Sequence, residues 1–214
     1  MTAPSEDFVA RLRRAGVVPV ITIEDAASAL PFATALRDGG LDVIEVTLRT
    51  GTALEAIRRI AAGLPDILVG AGTVLSKAHA EDSVAAGARF LVSPGLTPAV
   101  ADAGLAASVP LLPGVATASE AMAAAERGIA FLKFFPAEAI GGVAALKALA
   151  APLPHLRFCP TGGIDAAKAA AYLALPNVVC VGGSWMAPAD AVRAGDWAKI
   201  ASLSAEASRL ARGA

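Results

Sequence analysis

The sequence is poor in the residues that build metal centres, disulfide frameworks and nucleic-acid surfaces. Its 214 residues include two cysteines and two histidines, aromatic residues make up 5%, and the formal net charge is −1. Such a balanced charge gives no reason to expect a nucleic-acid partner or an anionic membrane surface. The cysteines, Cys159 and Cys180, lie in separate apolar runs outside any CxxC pattern, which predicts buried, reduced thiols.

The sequence also lacks an uninterrupted hydrophobic span. Mean hydropathy is +0.61, but the longest uncharged stretch, 103–119, contains Gly104, Pro110, Pro113 and Gly114, so it cannot form one membrane-spanning helix. The first residues, MTAPSEDFVARLRR, lack the apolar core of a signal peptide. We therefore expect no membrane partner and a cytoplasmic location.

What is present is a regular alternation of short β-branched runs and alanine-rich helical segments. The runs begin at intervals of roughly 20 to 26 residues, and many intervening segments end in glycine. The eight runs are 17–22, 42–48, 67–74, 89–94, 109–115, 131–136, 157–163 and 177–185. Because eight such units nearly fill the chain, we predict an α/β fold, a single (β/α)8 TIM barrel over residues 1–214, with an extra N-terminal helix at 5–14 covering the N-terminal face.

The alternation of side chains along the predicted strands places a lysine and a glutamate inside this barrel. In DVIEVTLR, the apolar alternate residues suit the helix layer, which leaves Glu45 inside and Arg49 at the mouth. In FLKFFP, the same parity leaves Lys133 inside, next to Phe135. Strand three points Thr73 inward near its C-terminal end, the end at which barrel enzymes carry their chemistry.

Two interpretations of the buried lysine and glutamate remain open. Lys133 and Glu45 can form a structural ion pair that fixes packing. Alternatively, apolar surroundings favour an uncharged amine that attacks a carbonyl carbon, while the nearby carboxylate moves protons. Arg49 at the mouth suits a two-pronged grip on a substrate carboxylate. The second interpretation predicts a Schiff-base site.

Paired glycines follow predicted strands seven and eight, in PTGGID and GGSW. Bare backbone amides at Gly162 and Gly163, with a helix N-terminus behind them and the Ser184 hydroxyl nearby, suit a substrate phosphate. The alternative is that these glycines only make tight turns.

The positions of the histidines argue against a metal site. His79 falls in a predicted helix and His155 in the loop before strand seven, both at the N-terminal end of the barrel. Because no cluster of His, Asp and Glu follows the strands, we expect no metal and no other cofactor.

Several runs carry a resemblance to a known family. In chain order they are EVTLRT (45–50), VGAGTV (69–74), SPG (93–95), LPG (112–114), KFFPAE (133–138), CPTGGI (159–164) and GGSW (182–185). They resemble the motifs of the 2-keto-3-deoxy-6-phosphogluconate (KDPG) aldolase / 4-hydroxy-2-oxoglutarate aldolase family, over about 17–188. The resemblance implies a metal-independent class I aldolase on a (β/α)8 barrel, typically a homotrimer. Its reaction would be cleavage of 2-dehydro-3-deoxy-6-phospho-D-gluconate to pyruvate and D-glyceraldehyde 3-phosphate, in the Entner–Doudoroff pathway.

The resemblance also implies a role for each candidate residue. Lys133 would form the imine with the keto carbon, and Glu45 would be the general acid and base. The implied binding residues are Arg49 and Thr73 for the carboxylate, Pro94 and Phe135 for the pyruvyl methyl, Thr161 for the sugar hydroxyls, and Gly162, Gly163 and Ser184 for the phosphate. One departure is Ile140, where the family pattern has a polar residue, which leaves fine specificity open.

Other functions remain possible from the sequence. An aldolase for the C4-epimeric galactonate substrate would use the same lysine and glutamate, although Thr161 favours the gluconate form. Cleavage of 4-hydroxy-2-oxoglutarate is also expected of the family. A non-catalytic phospho-ligand-binding barrel belongs to a different class, and the presence of both Glu45 and Lys133 argues against it.

Overall fold

The computed structural model describes residues 5–107 and 109–212, and nine short strands alternate along them with helices. The strands are β1 (Val17–Ile21), β2 (Val43–Thr47), β3 (Leu68–Gly72), β4 (Leu91–Val92), β5 (Leu111–Leu112), β6 (Gly114–Val115), β7 (Phe131–Phe134), β8 (Arg157–Pro160) and β9 (Val181–Gly183). The helices are α1 (Glu6–Ala15), α2 (Ala29–Asp38), α3 (Ala53–Gly63), α4 (Lys77–Ala85), α5 (Pro98–Ala106), α6 (Ala118–Glu126), α7 (Gly142–Ala150), α8 (Ala166–Leu173), α9 (Ala189–Ala194) and α10 (Trp197–Arg212). Single 3₁₀ turns precede α2 and α7, at Ala26–Ser28 and Glu138–Ile140.

The strands pair in parallel around a closed ring. One sheet has the order β5-β4-β3-β2-β1-β9 and the other the order β6-β7-β8. Isolated parallel bridges, Phe158 with Val178 and Thr161 with Gly182, join β8 to the β9 segment. The predicted (β/α)8 barrel is confirmed. Its fifth predicted strand is divided into β5 and β6 by Pro113, which has no N–H to donate to the ladder.

A small apolar cluster fills the N-terminal end of the barrel interior. It joins the first inward-facing residues of several strands, including Val43 of β2 and Phe131 of β7, to Phe8 and Leu12 of α1. Helix α1 is capped by Ser5, whose Oγ accepts a hydrogen bond of 3.2 Å from the Phe8 amide. The N-terminal helix therefore covers the N-terminal end of the barrel, as the sequence predicts.

A larger cluster lies between the strands and the surrounding helices. It contains the outward-facing residues Ile44 and Val46 of β2 and Leu132 and Phe134 of β7. Because successive side chains point to opposite faces of a strand, Glu45 and Lys133 must point inward. The predicted strand parity is confirmed for both strands. No helix in the described part of the chain is long and apolar enough to cross a membrane.

Candidate active site

A lysine and a glutamate from two separate strands meet inside the barrel. Lys133 lies in β7 and Glu45 in β2, and Lys133 Nζ donates a hydrogen bond of 3.3 Å to Glu45 Oε1. The two side chains are only 7% and 5% exposed. Lys133 Nζ also lies 5.2 Å from the centre of the Phe135 ring, within range of a cation–π contact. The structure thus places the amine, the carboxylate and the aromatic ring together, as the sequence predicts.

The position of the Glu45 carboxylate depends on a glycine in the next strand. Residue Gly72 of β3 pairs with Thr47 of β2, and a methyl group at position 72 would overlap Glu45 Oε1, Cδ and Cγ. Only a residue without a side chain leaves room for the carboxylate to turn toward Lys133. Gly72 therefore helps to set the position of the Glu45 carboxylate relative to Lys133, a role that the sequence pattern GAGTV did not reveal.

Thr73, directly after β3, has a strained backbone. Its φ is +60°, and it is the single non-glycine residue with positive φ among the described residues. A β-branched side chain disfavours this left-handed conformation, at a cost of roughly 1 to 2 kcal/mol. Strain of this kind collects at binding sites, where the rest of the fold holds the residue in place. Thr73 is half-buried at the C-terminal end of the barrel. The expectation that strand alternation points it inward is wrong, because Leu68 and Gly72 hold the inner positions of β3 and Thr73 follows the end of the strand.

Pro94 lies at the same end, in the turn after β4. The turn is fixed by the buried Ser93, whose Oγ donates a hydrogen bond of 2.8 Å to the Gly95 carbonyl. The Pro94 carbonyl packs so closely against Gly114 of β6 that a side chain at position 114 would overlap it. Pro94 itself is exposed at the mouth.

A cavity of about 820 Å³ opens at the C-terminal ends of the strands. Six predicted site residues line it: Arg49, Phe135, Thr161, Gly162, Gly163 and Ser184. The other four predicted site residues do not line it. Lys133 and Glu45 are buried in the barrel interior, and Thr73 and Pro94 follow the ends of β3 and β4. Arg49 is exposed, and no carboxylate within the described ranges forms an ion pair with it. Its guanidinium is therefore free to bind an anionic group in the cavity.

The glycine-rich loops present unpaired backbone amides to this cavity. Gly162 and Gly163 have φ values of +104° and +75°, a conformation that side chains disfavour. The amides of Gly162, Gly163 and Ser184 have no acceptor within residues 5–107 and 109–212. Consecutive free amides in such a loop form a concave site for an anion.

The helix N-terminus expected behind the glycines of PTGGID is that of α8, and one of its amides is bonded within the protein. The first turn of α8 is capped by Asp165, whose Oδ1 accepts a hydrogen bond of 3.0 Å from the Lys168 amide. Helix α9 begins at Ala189 and has only six residues. Asp165 thus satisfies one amide of the first turn of α8, and the contribution of the helix N-terminus stays a prediction. The free loop amides are further donors available to an anion.

The cavity extends beyond the predicted residues. Thr22, Asp25, Arg193 and Trp197 also line it. Thr22 ends the first predicted strand, so its position at the mouth was available from the sequence. Arg193 and Trp197 belong to α9 and α10, beyond the last strand, and no sequence pattern relates them to the strand ends.

Both cysteines lie buried in the inner cluster as free thiols. A hydrogen bond with Cys159, together with complete burial, raises the pKa of the Cys180 thiol well above its usual value. Cys180 therefore stays protonated and inert, in agreement with the prediction of buried, reduced thiols.

Neither histidine lines the cavity. The expectation that both lie at the N-terminal end of the barrel is wrong for His79, because it lies in the first turn of α4, just after the C-terminal end of β3. His79 is in α4, where its Nδ1 accepts a hydrogen bond of 3.3 Å from the Leu75 amide. His155 is in the loop between α7 and β8. Within the described residues no three His, Cys, Asp or Glu side chains are grouped so that they could hold a metal ion.

The chain is similar in sequence and structure to a group of known aldolases. A family model described as KDPG and KHG aldolase matches residues 8–203. The 2-dehydro-3-deoxy-phosphogluconate aldolase of Pseudoalteromonas atlantica is 50% identical over 191 residues, which cover 89% of each chain.

Solved structures agree with this similarity. The KDPG aldolase of Legionella pneumophila, with pyruvate captured at low pH as a covalent carbinolamine intermediate, matches with a TM-score of 0.90 and 46% identity, over 92% of this chain and 96% of that chain. The 2-keto-3-deoxy-6-phosphogluconate aldolase of Zymomonas mobilis, with 3-phosphoglycerate, matches with a TM-score of 0.87 and 49% identity, over 93% of each chain.

Proposed function

The chain belongs to the KDPG and KHG aldolase family, and from this premise we propose that it cleaves 2-dehydro-3-deoxy-6-phospho-D-gluconate to pyruvate and D-glyceraldehyde 3-phosphate. The observation that carries the proposal is the buried contact of 3.3 Å between Lys133 Nζ and Glu45 Oε1. We extend the proposal to 4-hydroxy-2-oxoglutarate, which shares the reacting keto-acid portion and is part of the family description.

Imine formation begins with the proton that Lys133 shares with Glu45. Transfer of this proton to the carboxylate leaves a neutral amine, which attacks the C2 carbonyl carbon of the substrate and forms a carbinolamine. Glu45, now protonated, returns the proton to the carbinolamine hydroxyl, and water leaves. The product is a protonated imine between Lys133 and the substrate.

Bond cleavage uses the protonated imine as an electron sink. Glu45, ionised again, accepts the proton of the C4 hydroxyl as the C3–C4 bond breaks and the aldehyde is released. The electron pair of that bond moves into the imine and gives an enamine. Glu45 then protonates C3, and water hydrolyses the resulting imine to pyruvate and the free amine. One carboxylate within hydrogen-bond reach of the lysine serves all of these steps.

The two charged ends of the substrate would be bound at separate places. We assign the carboxylate to Arg49 and the Thr73 hydroxyl, and the pyruvyl methyl to Pro94 and Phe135. The phosphate would accept hydrogen bonds from the free amides of Gly162 and Gly163 and from Ser184, with Thr161 beside the sugar hydroxyls. This assignment is supported by the cavity, which joins Arg49 to the glycine loops without interruption. Phosphate binding far from the reacting bond fixes the orientation of the substrate.

We further propose that the whole chain, 1–214, is one barrel domain that assembles as a homotrimer in the cytoplasm. The trimer is supported by three large apolar side chains that are exposed on consecutive units of the barrel: Leu75, Leu105 and Met122 are 55%, 40% and 52% exposed. Burial between subunits would remove this apolar surface from water. Sedimentation equilibrium of the purified protein measures the mass of the assembly directly.

The decisive experiment is to trap the imine. The protein is incubated with pyruvate, reduced with borohydride and digested, and the adduct is located by mass spectrometry. We expect one adduct, on Lys133. An adduct on Lys77, Lys147 or Lys168 instead, or no adduct, would contradict the mechanism.

Substrate preference requires a second measurement. Cleavage rates on the gluconate substrate and on its C4 epimer, 2-dehydro-3-deoxy-6-phosphogalactonate, are compared with a coupled assay for pyruvate. We expect faster cleavage of the gluconate form, whereas the reverse order would assign the galactonate reaction. Absence of turnover on both, with phosphorylated ligands still bound, would indicate a non-catalytic binding barrel.

A further inference from the structure

A lysine outside the reacting centre is tied to the backbone of the glycine loop. Lys168, in α8, donates a hydrogen bond of 2.9 Å from its Nζ to the Gly163 carbonyl. The same Nζ lies 3.0 Å from Glu138 Oε2 and 3.9 Å from Asp165 Oδ2. The ammonium thus bonds one carbonyl and one carboxylate of the protein, and a second carboxylate lies near it.

Glu138 holds the lysine from the loop after β7. Its other carboxylate oxygen, Oε1, accepts a hydrogen bond from the Tyr172 hydroxyl in α8. This bond and the contact with Lys168 keep the pKa of Glu138 below its usual value, so the carboxylate stays ionised at neutral pH. Burial, with the hydrogen bond to Glu138 next, raises the pKa of Tyr172, which therefore keeps its proton and remains a donor.

The same loop also contacts the glycines through its backbone. The Glu138 amide donates a hydrogen bond of 3.1 Å to the Gly162 carbonyl, and a side chain at position 163 would overlap Cβ and Cγ of Glu138. Both carbonyls of the Gly162–Gly163 pair are thus bonded within the protein. The carbonyl of one residue and the amide of the next belong to one peptide unit and point in opposite directions, so fixing the carbonyls of Gly162 and Gly163 fixes the amides of Gly163 and Ile164. Ile164 also lines the cavity.

We propose that Lys168 and Glu138 are positioning residues for the phosphate, a brace that holds the Gly162–Gly163 loop with the amides of Gly163 and Ile164 facing the substrate. The inference rests on the proposed function, because it gives the loop a phosphate to bind. Lys168 acts through the loop and not by touching the phosphate, since its ammonium is bonded to the Gly163 carbonyl and to Glu138 and the residue does not line the cavity. Preorganised donors bind an anion without first losing conformational freedom, so the brace lowers the cost of phosphate binding.

The test compares Lys168→Met, Glu138→Ala and the double variant with the unsubstituted protein. We expect each single variant to raise KM for 2-dehydro-3-deoxy-6-phospho-D-gluconate and Ki for inorganic phosphate about 5- to 10-fold. The double variant should be no worse than either single one, because both residues act through the same loop. Lys168→Arg, which can still reach the carbonyl and the carboxylate, should restore most of the affinity.

A readout that does not involve phosphate separates positioning from general damage. The rate of borohydride trapping with pyruvate, which has no phosphate, should stay within about twofold in every variant, because Lys133 and Glu45 are untouched. Lys77→Met serves as the matched control. It removes an exposed lysine whose carboxylate partner, Glu81, lies 3.5 Å away within the same helix, and it should change neither constant.

Several outcomes would overturn the brace. The first is that KM and Ki are unchanged in Lys168→Met. The second is that Lys168→Met raises these constants and Glu138→Ala does not. The third is that pyruvate trapping slows as much as KM and Ki rise. The second outcome would mean that Lys168 contacts the phosphate itself. Failure of the proposed function looks different, since the unsubstituted protein would then fail to cleave the phosphorylated substrate or to trap pyruvate on Lys133.

Discussion

Lys133 Nζ and Glu45 Oε1 lie 3.3 Å apart in the barrel interior, although 88 positions separate the two residues in the chain. The contact has a structural and a chemical consequence. Each residue neutralises the other in a place where a lone charge would be costly, so removal of either leaves an uncompensated buried group. The short distance also allows a proton to pass directly between them. Variants at either position must therefore be tested for folding as well as for activity.

Replacement of the lysine should abolish the covalent step. We expect Lys133→Ala to show no pyruvate adduct after borohydride reduction and no measurable cleavage, because no other amine faces Glu45 inside the described barrel. Circular dichroism checks that the variant remains folded. Lys77→Ala, at an exposed helical position, should trap pyruvate and turn over normally. Adduct formation in Lys133→Ala would show that another residue is the nucleophile.

Replacement of the glutamate should separate imine formation from turnover. Glu45→Gln keeps the size of the side chain but cannot take or give the catalytic protons. We expect it still to be trapped with pyruvate, more slowly, while kcat for cleavage falls by about 10²- to 10⁴-fold. Single-turnover trapping and steady-state cleavage measure the two effects separately. A normal rate in this variant would refute the proton-transfer role.

The placement of the lysine and the glutamate could be predicted because it depends on two simple periodicities. Apolar residues at alternate positions of β2 and β7 leave Glu45 and Lys133 on the inner face, and the repeat of eight units predicts a closed ring in which inner faces meet. The extra helix was predictable for a similar reason, since Phe8 and Leu12 form an apolar stripe on an otherwise polar segment.

Other parts of the site depend on contacts between strands or loops, and no local pattern shows them. Gly72 matters because of the carboxylate beside it, which belongs to a different strand. The capping of α8 by Asp165 is not evident from the sequence, because an acidic residue after a strand can equally contact a ligand. The hydrogen bond of Lys168 to Gly163 joins a helix to a loop through a backbone carbonyl. Every residue has such a carbonyl, so the sequence does not show which one is bound.

The contact between Gly72 and Glu45 gives a matched pair of glycine variants. Gly72→Ala places a methyl group where the Glu45 carboxylate lies, so the carboxylate must move away from Lys133. We expect kcat to fall about 10- to 100-fold, because a displacement of about 1 Å at a catalytic group has effects of this size. Gly51→Ala is the control, since no atom beyond its two chain neighbours lies within 4 Å of the added Cβ. Equal kinetics in the two variants would show that the Glu45 position is not set by Gly72.

The strained backbone at Thr73 predicts a trade between stability and binding. Asparagine tolerates positive φ better than a β-branched residue, so Thr73→Asn should relieve about 1 kcal/mol of strain and raise Tm by about 2 to 4 °C for a chain of this length. The same change removes the hydroxyl proposed to hold the substrate carboxylate, and KM should rise about tenfold. Thr73→Ser keeps the hydroxyl and should leave KM within about twofold. Calorimetry and steady-state kinetics on both variants test the argument, and a lower Tm with an unchanged KM in Thr73→Asn would contradict both halves of it.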